Sequence, residues 1–265
     1  MKITSLGFLL PVITLGCAID AEEAPGGPQG ERVGAAESAA VHNNAIFANA
    51  IFANSLAPQS LPSAQMTDLV DAGEAGELSR MLMRYLVHCA FDGSQAFTFS
   101  WEDSDYVLHH ETYVGGVGLA TGWETRGLYE TEQRWVSACI AARVNYYGAT
   151  VSLSLRGDHA ALATTPAEQE VYPHQEGAFW GNIFLPEPYL NACYNTANVE
   201  HSRSKMRDCA AGHWDGATVS DCGDLQRVGP CDVVCVDRTS PPDVPDDGFA
   251  SCNGVTEVIT TFLDD

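Results

Sequence analysis

Eight cysteines fall between residues 89 and 252 of this chain: Cys89, Cys139, Cys193, Cys209, Cys222, Cys231, Cys235 and Cys252; the ninth is Cys17. An even set of eight in one stretch reads as four disulfides, which persist only in an oxidising compartment such as the periplasm or the cell exterior. Spacing leaves the pairing open, since eight cysteines allow on the order of a hundred connectivities. The crowding of six of them after residue 190 favours local bridges there. Cys89 and Cys139 are the isolated pair. If bonded to each other they close a loop of about 50 residues, which the chain-entropy model values at roughly 4 kcal/mol.

The ninth cysteine belongs to a different signal. Lys2 precedes the apolar run Ile3 to Leu15, which is shorter than the roughly 20 residues a membrane-spanning helix needs and reads as a signal h-region. Thr14-Leu15-Gly16-Cys17 resembles a bacterial lipobox, implying removal of residues 1–16 and acylation of Cys17. Lipoboxes usually carry Leu where this chain has Thr14, so the competing reading is ordinary cleavage after Ala18, with Gly16 and Ala18 as the small pair. Within the lipobox resemblance, Ala18 rather than Asp after the cysteine implies sorting to the outer membrane or cell surface. Two or more acyl chains make such attachment stable. Either processing route leaves eight cysteines, so the expectation of export holds on both.

Charge narrows the partners. Thirteen Lys and Arg against 35 Asp and Glu give a formal net charge of -22. Such a surface repels phosphate backbones and anionic headgroups, so a nucleic-acid partner is not expected and membrane contact falls to the N-terminal lipid. Residues 17–73 are acidic and rich in Ala, Gly and Pro, and they read as a flexible tether unable to bury enough apolar surface to offset its ordering entropy. Within them, Asn44 to Ala48 and Asn49 to Ala53 repeat Asn-Ala-Ile-Phe-Ala, with a partial third copy at Asn54 to Ala57. Two and a half units cannot cover one another as a solenoid. The repeat therefore reads as a mildly sticky linker segment, or as a strip of Ile46, Phe47, Ile51 and Phe52 that docks on a partner or a sheet edge.

Residues 74–265 are expected to form one disulfide-stapled α+β domain. Leu78, Met81, Leu82, Tyr85, Leu86 and Cys89 recur at helical spacing across 77–89, and Trp135, Val136, Cys139, Ile140 and Val144 predict a second amphipathic helix over 131–147. Each helix carries one cysteine on its apolar stripe, which makes a helix-to-helix bridge feasible. Residues 96–101 and 106–113 read as a hairpin around the acidic turn Glu102 to Asp105, with further strands at 150–155, 178–185 and 255–262. Helices interspersed with hairpins favour α+β over a parallel α/β sheet.

Chemistry is sparsely signposted. The acids at 102–105 lack a calcium-loop pattern. His201 and His213 with the neighbouring cysteines contain enough ligands for zinc, but Cys231 and Cys235 are the single close cysteine pair, so disulfides are expected and neither metal nor cofactor. Ser202 and Lys205 have Ser-x-x-Lys spacing without its companion signatures. The enzyme candidate is His174 with Glu176: two residues apart on an extended strand they share a face, where the carboxylate can orient the imidazole. His109, His110 and His159 are possible third partners of a hydrolase centred there. The contrasting reading is a binding module for a protein, peptide or carbohydrate, using rings among Trp101, Trp123, Trp180, Trp214, Tyr172, Tyr189 and Tyr194, and the missing catalytic set favours it.

Arg84-Tyr85-Leu86, the run Arg134 to Cys139 with Ala141 to Gly148, and Glu176 to Asn182 resemble a family of uncharacterised exported proteins of myxobacteria and relatives. The resemblance spans residues 74–262. It implies an exported domain of that extent and carries over no functional residue.

Overall fold

The computed structural model describes residues 67–238 and 248–265 and the backbone of the strand Ala35–Ser38. The signal segment, Cys17 and the Asn-Ala-Ile-Phe-Ala repeat lie outside the described residues, as does most of the stretch read as a tether.

Among the described residues the centre is a six-stranded sheet. In spatial order it runs β1 (Ala35–Ser38), β4 (Val151–Arg156), β12 (Ile259–Leu263), β5 (His174–Asn182), β6 (Tyr189–Tyr194) and β9 (Leu225–Pro230). Every neighbouring pair is antiparallel except β6 with β9. The chain is α+β, as the interspersed pattern predicts.

β5 alternates between two cores. Phe179 joins the main apolar cluster on one face, while Ala178 and Trp180 join a smaller cluster with Cys193, Cys231, Phe249 and Cys252 on the other. Burial on both faces explains why β5 reads as a continuous apolar run rather than a polar and apolar alternation. Helix α3 (Glu130–Ala142) packs on β5, α2 (Glu74–Ala90) packs on α3 beneath the hairpin of β2 (Ala96–Glu102) and β3 (Leu108–Val114), and the short α1 (Thr67–Val70) packs on α2. Because α2 is covered from several sides, its buried set includes Met83 and Val87, while Leu78, Met81 and Tyr85 are only partly covered. Asp71 Oδ1 accepts from the Gly73 and Gly76 amides at 2.8 and 3.3 Å, satisfying donors at the start of α2 that Gly73 has no side chain to meet.

All eight expected cysteines are paired. Cys89–Cys139 ties α2 to α3, and Cys193–Cys231, Cys209–Cys222 and Cys235–Cys252 are local bridges in the C-terminal part. The last of these closes the short hairpin of β10 (Cys235–Asp237) and β11 (Phe249–Cys252).

One element departs from expectation in a way that matters for the site. The second amphipathic helix stops at Ala142 instead of reaching Tyr147. Carbonyls at and just beyond its end are taken by a distant side chain: the Arg207 guanidinium donates to Ala142 O at 2.8 Å and to Val144 O at 2.7 Å. With those acceptors satisfied from outside, the helical ladder need not continue.

Candidate functional site

Helix α4 (Pro166–Val171) precedes β5, and α5 (Val199–Ser204) lies in the crossover between the parallel strands β6 and β9. The two-stranded ribbon of β7 (His213–Trp214) and β8 (Val219–Ser220) follows α5. At the base of the crossover, Arg207 donates Nε and Nη2 to Glu176 Oε2 at 3.2 and 2.9 Å, and both side chains are fully buried. Thr261 Oγ1 donates to the same carboxylate oxygen at 2.9 Å.

Asp208, the next residue, is 1% exposed and turns to the other side. Its Oδ2 accepts from the Tyr147 hydroxyl at 3.0 Å and lies 2.9 Å from His213 Nδ1, which fixes the imidazole proton on Nδ1. Burial, then the Asp208 contact, raise the Tyr147 pKa and keep the phenol a donor. Tyr146 stacks on the His213 ring with centroids 3.5 Å apart, and Tyr147 meets that ring edge-on. Asn145 completes the anchoring, donating to Met206 O and accepting from the Tyr147 amide. Tyr146 and Tyr147 nevertheless remain 51% and 46% exposed. One buried carboxylate thus holds a phenol and an imidazole in place and, through the imidazole, a second phenol ring. The Asp208 Oδ1 atom is buried with no hydrogen-bond partner.

Trp214 is 44% exposed and is cross-strand neighbour to Val219, so both side chains stand on one face of the ribbon, opposite to His213. Val219 also lines a pocket of about 240 Å³ with Tyr194, Val199, Arg203, Ala211 and Arg227. Gly212 permits this: it sits at φ +88°, and a Cβ there would lie 2.2 Å from Arg227 Nη1 and 2.4 Å from Val219 Cγ1. The Cys209–Cys222 disulfide pins the crossover across this same stretch.

His174 and Glu176 do not meet. The pairing of β5 with β12 shifts register between Thr261 and Phe262, leaving Glu176 as the extra residue, so the expected two-residue alternation breaks. Glu176 turns inward to Arg207 and Thr261, whereas His174 Nε2 contacts Asp265 Oδ1 at 2.9 Å and its ring packs on His201. The possible third partners are engaged elsewhere: His109 with Asp103, His110 with Ser100, and His159 Nδ1 as acceptor for the Ala161 amide. Ser202 donates to the carbonyl of Asn198, the residue that caps its own helix, and Lys205 pairs with Asp264. Sulfurs of Cys193, Cys231 and Cys235 lie close together, as do those of Cys209 and Cys222 beside Asp208, but all are disulfide-bonded and offer no thiolate. Of the rings expected to face a ligand, Trp123, Trp180 and Tyr172 are core residues, and Trp214 is exposed. Sequence reading passes over Tyr146, Tyr147, Asp208, Arg203 and Arg227. The adjacent tyrosines were the available signal, since no single face of a helix buries both.

No known protein family, curated protein or solved structure matches this chain. No helix among the described residues is long and apolar enough to cross a membrane.

Proposed function

We propose that this chain is an exported binding module of the cell envelope or surface, tethered by lipid on Cys17, with its recognition face on the β6–β9 crossover. The observation that carries the reading is the buried Asp208 carboxylate holding Tyr147 and His213, and through His213 the exposed Tyr146, in fixed positions, while the exposed Trp214 stands on the opposite face of the same ribbon. Rings fixed before a ligand arrives lose little entropy on binding, and aromatic side chains supply contact area with few torsions to freeze. Catalysis is less well supported. His213 has a carboxylate to orient it, but among the described residues no nucleophilic side chain hydrogen-bonds to it.

Calorimetric titration against a set of peptides and oligosaccharides tests the module. A ligand whose affinity drops at least about tenfold in Trp214→Ala or Asp208→Asn supports it, while ligands that bind equally well to both variants refute this face. For the anchor, Cys17→Ser is expected to abolish fatty-acid labelling and release the protein from membranes; a variant that stays acylated refutes lipidation at Cys17. The resemblance to exported myxobacterial proteins and the lipobox-like Leu15-Gly16-Cys17 support the same compartment.

A further inference from the structure

Cations are scarce in this chain, and two of its eleven arginines line one small pocket. Each guanidinium is held by a single close contact. Arg203 Nη1 donates to Glu200 Oε1 at 2.7 Å, and Arg227 Nη1 donates to Ala211 O at 3.1 Å. Their Nη2 groups have no partner among the described residues, and the Arg203 Nε atom is buried without one. A buried donor left unmade costs about 1–3 kcal/mol. An acceptor entering the pocket recovers that cost, and an anionic one forms the stronger, charge-assisted bond.

Pocket size and surroundings narrow the acceptor. About 240 Å³ lies below the usual range of drug-sized sites, roughly 300–1,000 Å³, and suits a single unit of a ligand. Glu200 on one guanidinium and Asp221, 3.9 Å from Arg227 Nε, dilute the local positive field within a chain of net charge -22. That field favours a monoanion over a dianion such as phosphate. Tyr194, Val199 and Val219 give the remaining wall an apolar character, and Trp214 flanks Val219 with an exposed ring face. A unit with one carboxylate and an apolar ring face meets all of these conditions.

We propose that the Arg203–Arg227 pocket is the subsite for a sugar acid, a hexuronate unit whose carboxylate bridges the two guanidinium groups while its ring lies against Trp214. This inference rests on the binding-module reading and specifies its ligand.

Galacturonate, galactose, N-acetylglutamate and inorganic phosphate are titrated calorimetrically into the full chain, and into Arg203→Met, Arg227→Met and Trp214→Ala. Galacturonate is expected to bind at least about tenfold more tightly than galactose, the worth of one charge-assisted contact. Each of the three substitutions should lower its affinity about tenfold or more, with the melting temperature of both Arg variants unchanged because both side chains are partly solvent-exposed. The inference is overturned if galactose binds as tightly as galacturonate, if N-acetylglutamate or phosphate binds more tightly, if the Arg variants retain full affinity, or if galacturonate does not bind. Galactose binding that depends on Trp214 but not on the arginines would overturn the acid subsite while leaving the binding module standing. Should an Arg variant melt early, Arg203→Lys and Arg227→Lys replace it, and binding retained at full strength in both would equally overturn the bidentate bridge.

Discussion

Replacing Arg207 with Met isolates the interaction on which the crossover depends. The variant keeps a long apolar stem but removes the charge and all four hydrogen bonds the guanidinium makes, two to Glu176 and one each to Ala142 O and Val144 O. Glu176 would then be a buried carboxylate held by Thr261 alone. Losing one partner of a buried pair costs about 3–5 kcal/mol, largely because the other charge stays behind. Each abandoned carbonyl adds up to about 1–3 kcal/mol where water cannot reach it. Against a domain stability of about 5–15 kcal/mol, that is enough to leave the fold marginal. Surface pairs give the contrast. Arg203 with the exposed Glu200 is worth about 0–1 kcal/mol, so Glu200→Gln serves as a near-silent control. Urea denaturation of the oxidised protein measures each value. The double variant Glu176→Met with Arg207→Met should regain part of the loss, since an apolar pair leaves no orphaned charge. A loss below about 1 kcal/mol for Arg207→Met alone would refute the assignment of Arg207 as the tie between helix end, sheet and crossover.

Removing the interhelical staple with Cys89→Ala and Cys139→Ala should cost about 4 kcal/mol by the same denaturation, given its sequence separation of 50. His88 is half-buried beside Arg143, and desolvation followed by that charge lowers its pKa to about 4. Its neutral ring therefore contributes fully to stability above the ordinary value near 6.5, a contribution lost as pH falls from there towards about 4. An NMR titration in which His88 protonates near 6.5 would contradict that burial. Gly212→Ala forces a Cβ onto a positive φ and into Arg227 and Val219. A stability loss of about 1–3 kcal/mol is expected, together with weaker galacturonate binding, and a variant that binds normally would show that Arg227 need not hold its observed position. Tyr113, buried and near Glu111, has a pKa pushed up to about 12. Ultraviolet titration should find a phenol that ionises only near pH 12 and that disappears in Tyr113→Phe.

The cysteine count and the apolar periodicities carried the architecture, because both report on burial that no distant residue can undo. Cys89 and Cys139 lie on helical stripes, so a bridge between the two helices is legible from spacing, and the structure forms it. The end of α3 was not visible, because it is set by Arg207 across a sequence gap of more than sixty residues. His174 and Glu176 illustrate the same limit at the site. Their two-residue spacing is a local fact, but a register shift against β12 decides which way each points. Asp208 lies one residue from Arg207 and five from His213, in a stretch with no recognisable motif, and its role appears only once Tyr147 arrives from the end of another element.

The single parallel pairing in the sheet also bears on how such a domain can change over time. Parallel neighbours require a long connection, and here that connection, residues 195–224, contains Arg203, Arg207, Asp208, His213, Trp214 and Val219, closed by its own disulfide. Sheet and helices supply the socket through Glu176, Ala142 and Val144, and the connection supplies the plug through the buried Arg207, with Met206 and Asp208 adding bonds to Asn145 and Tyr147. Descendants that keep this one arginine and the Cys209–Cys222 clasp are free to exchange the exposed residues between them, diversifying what is recognised without redesigning the framework.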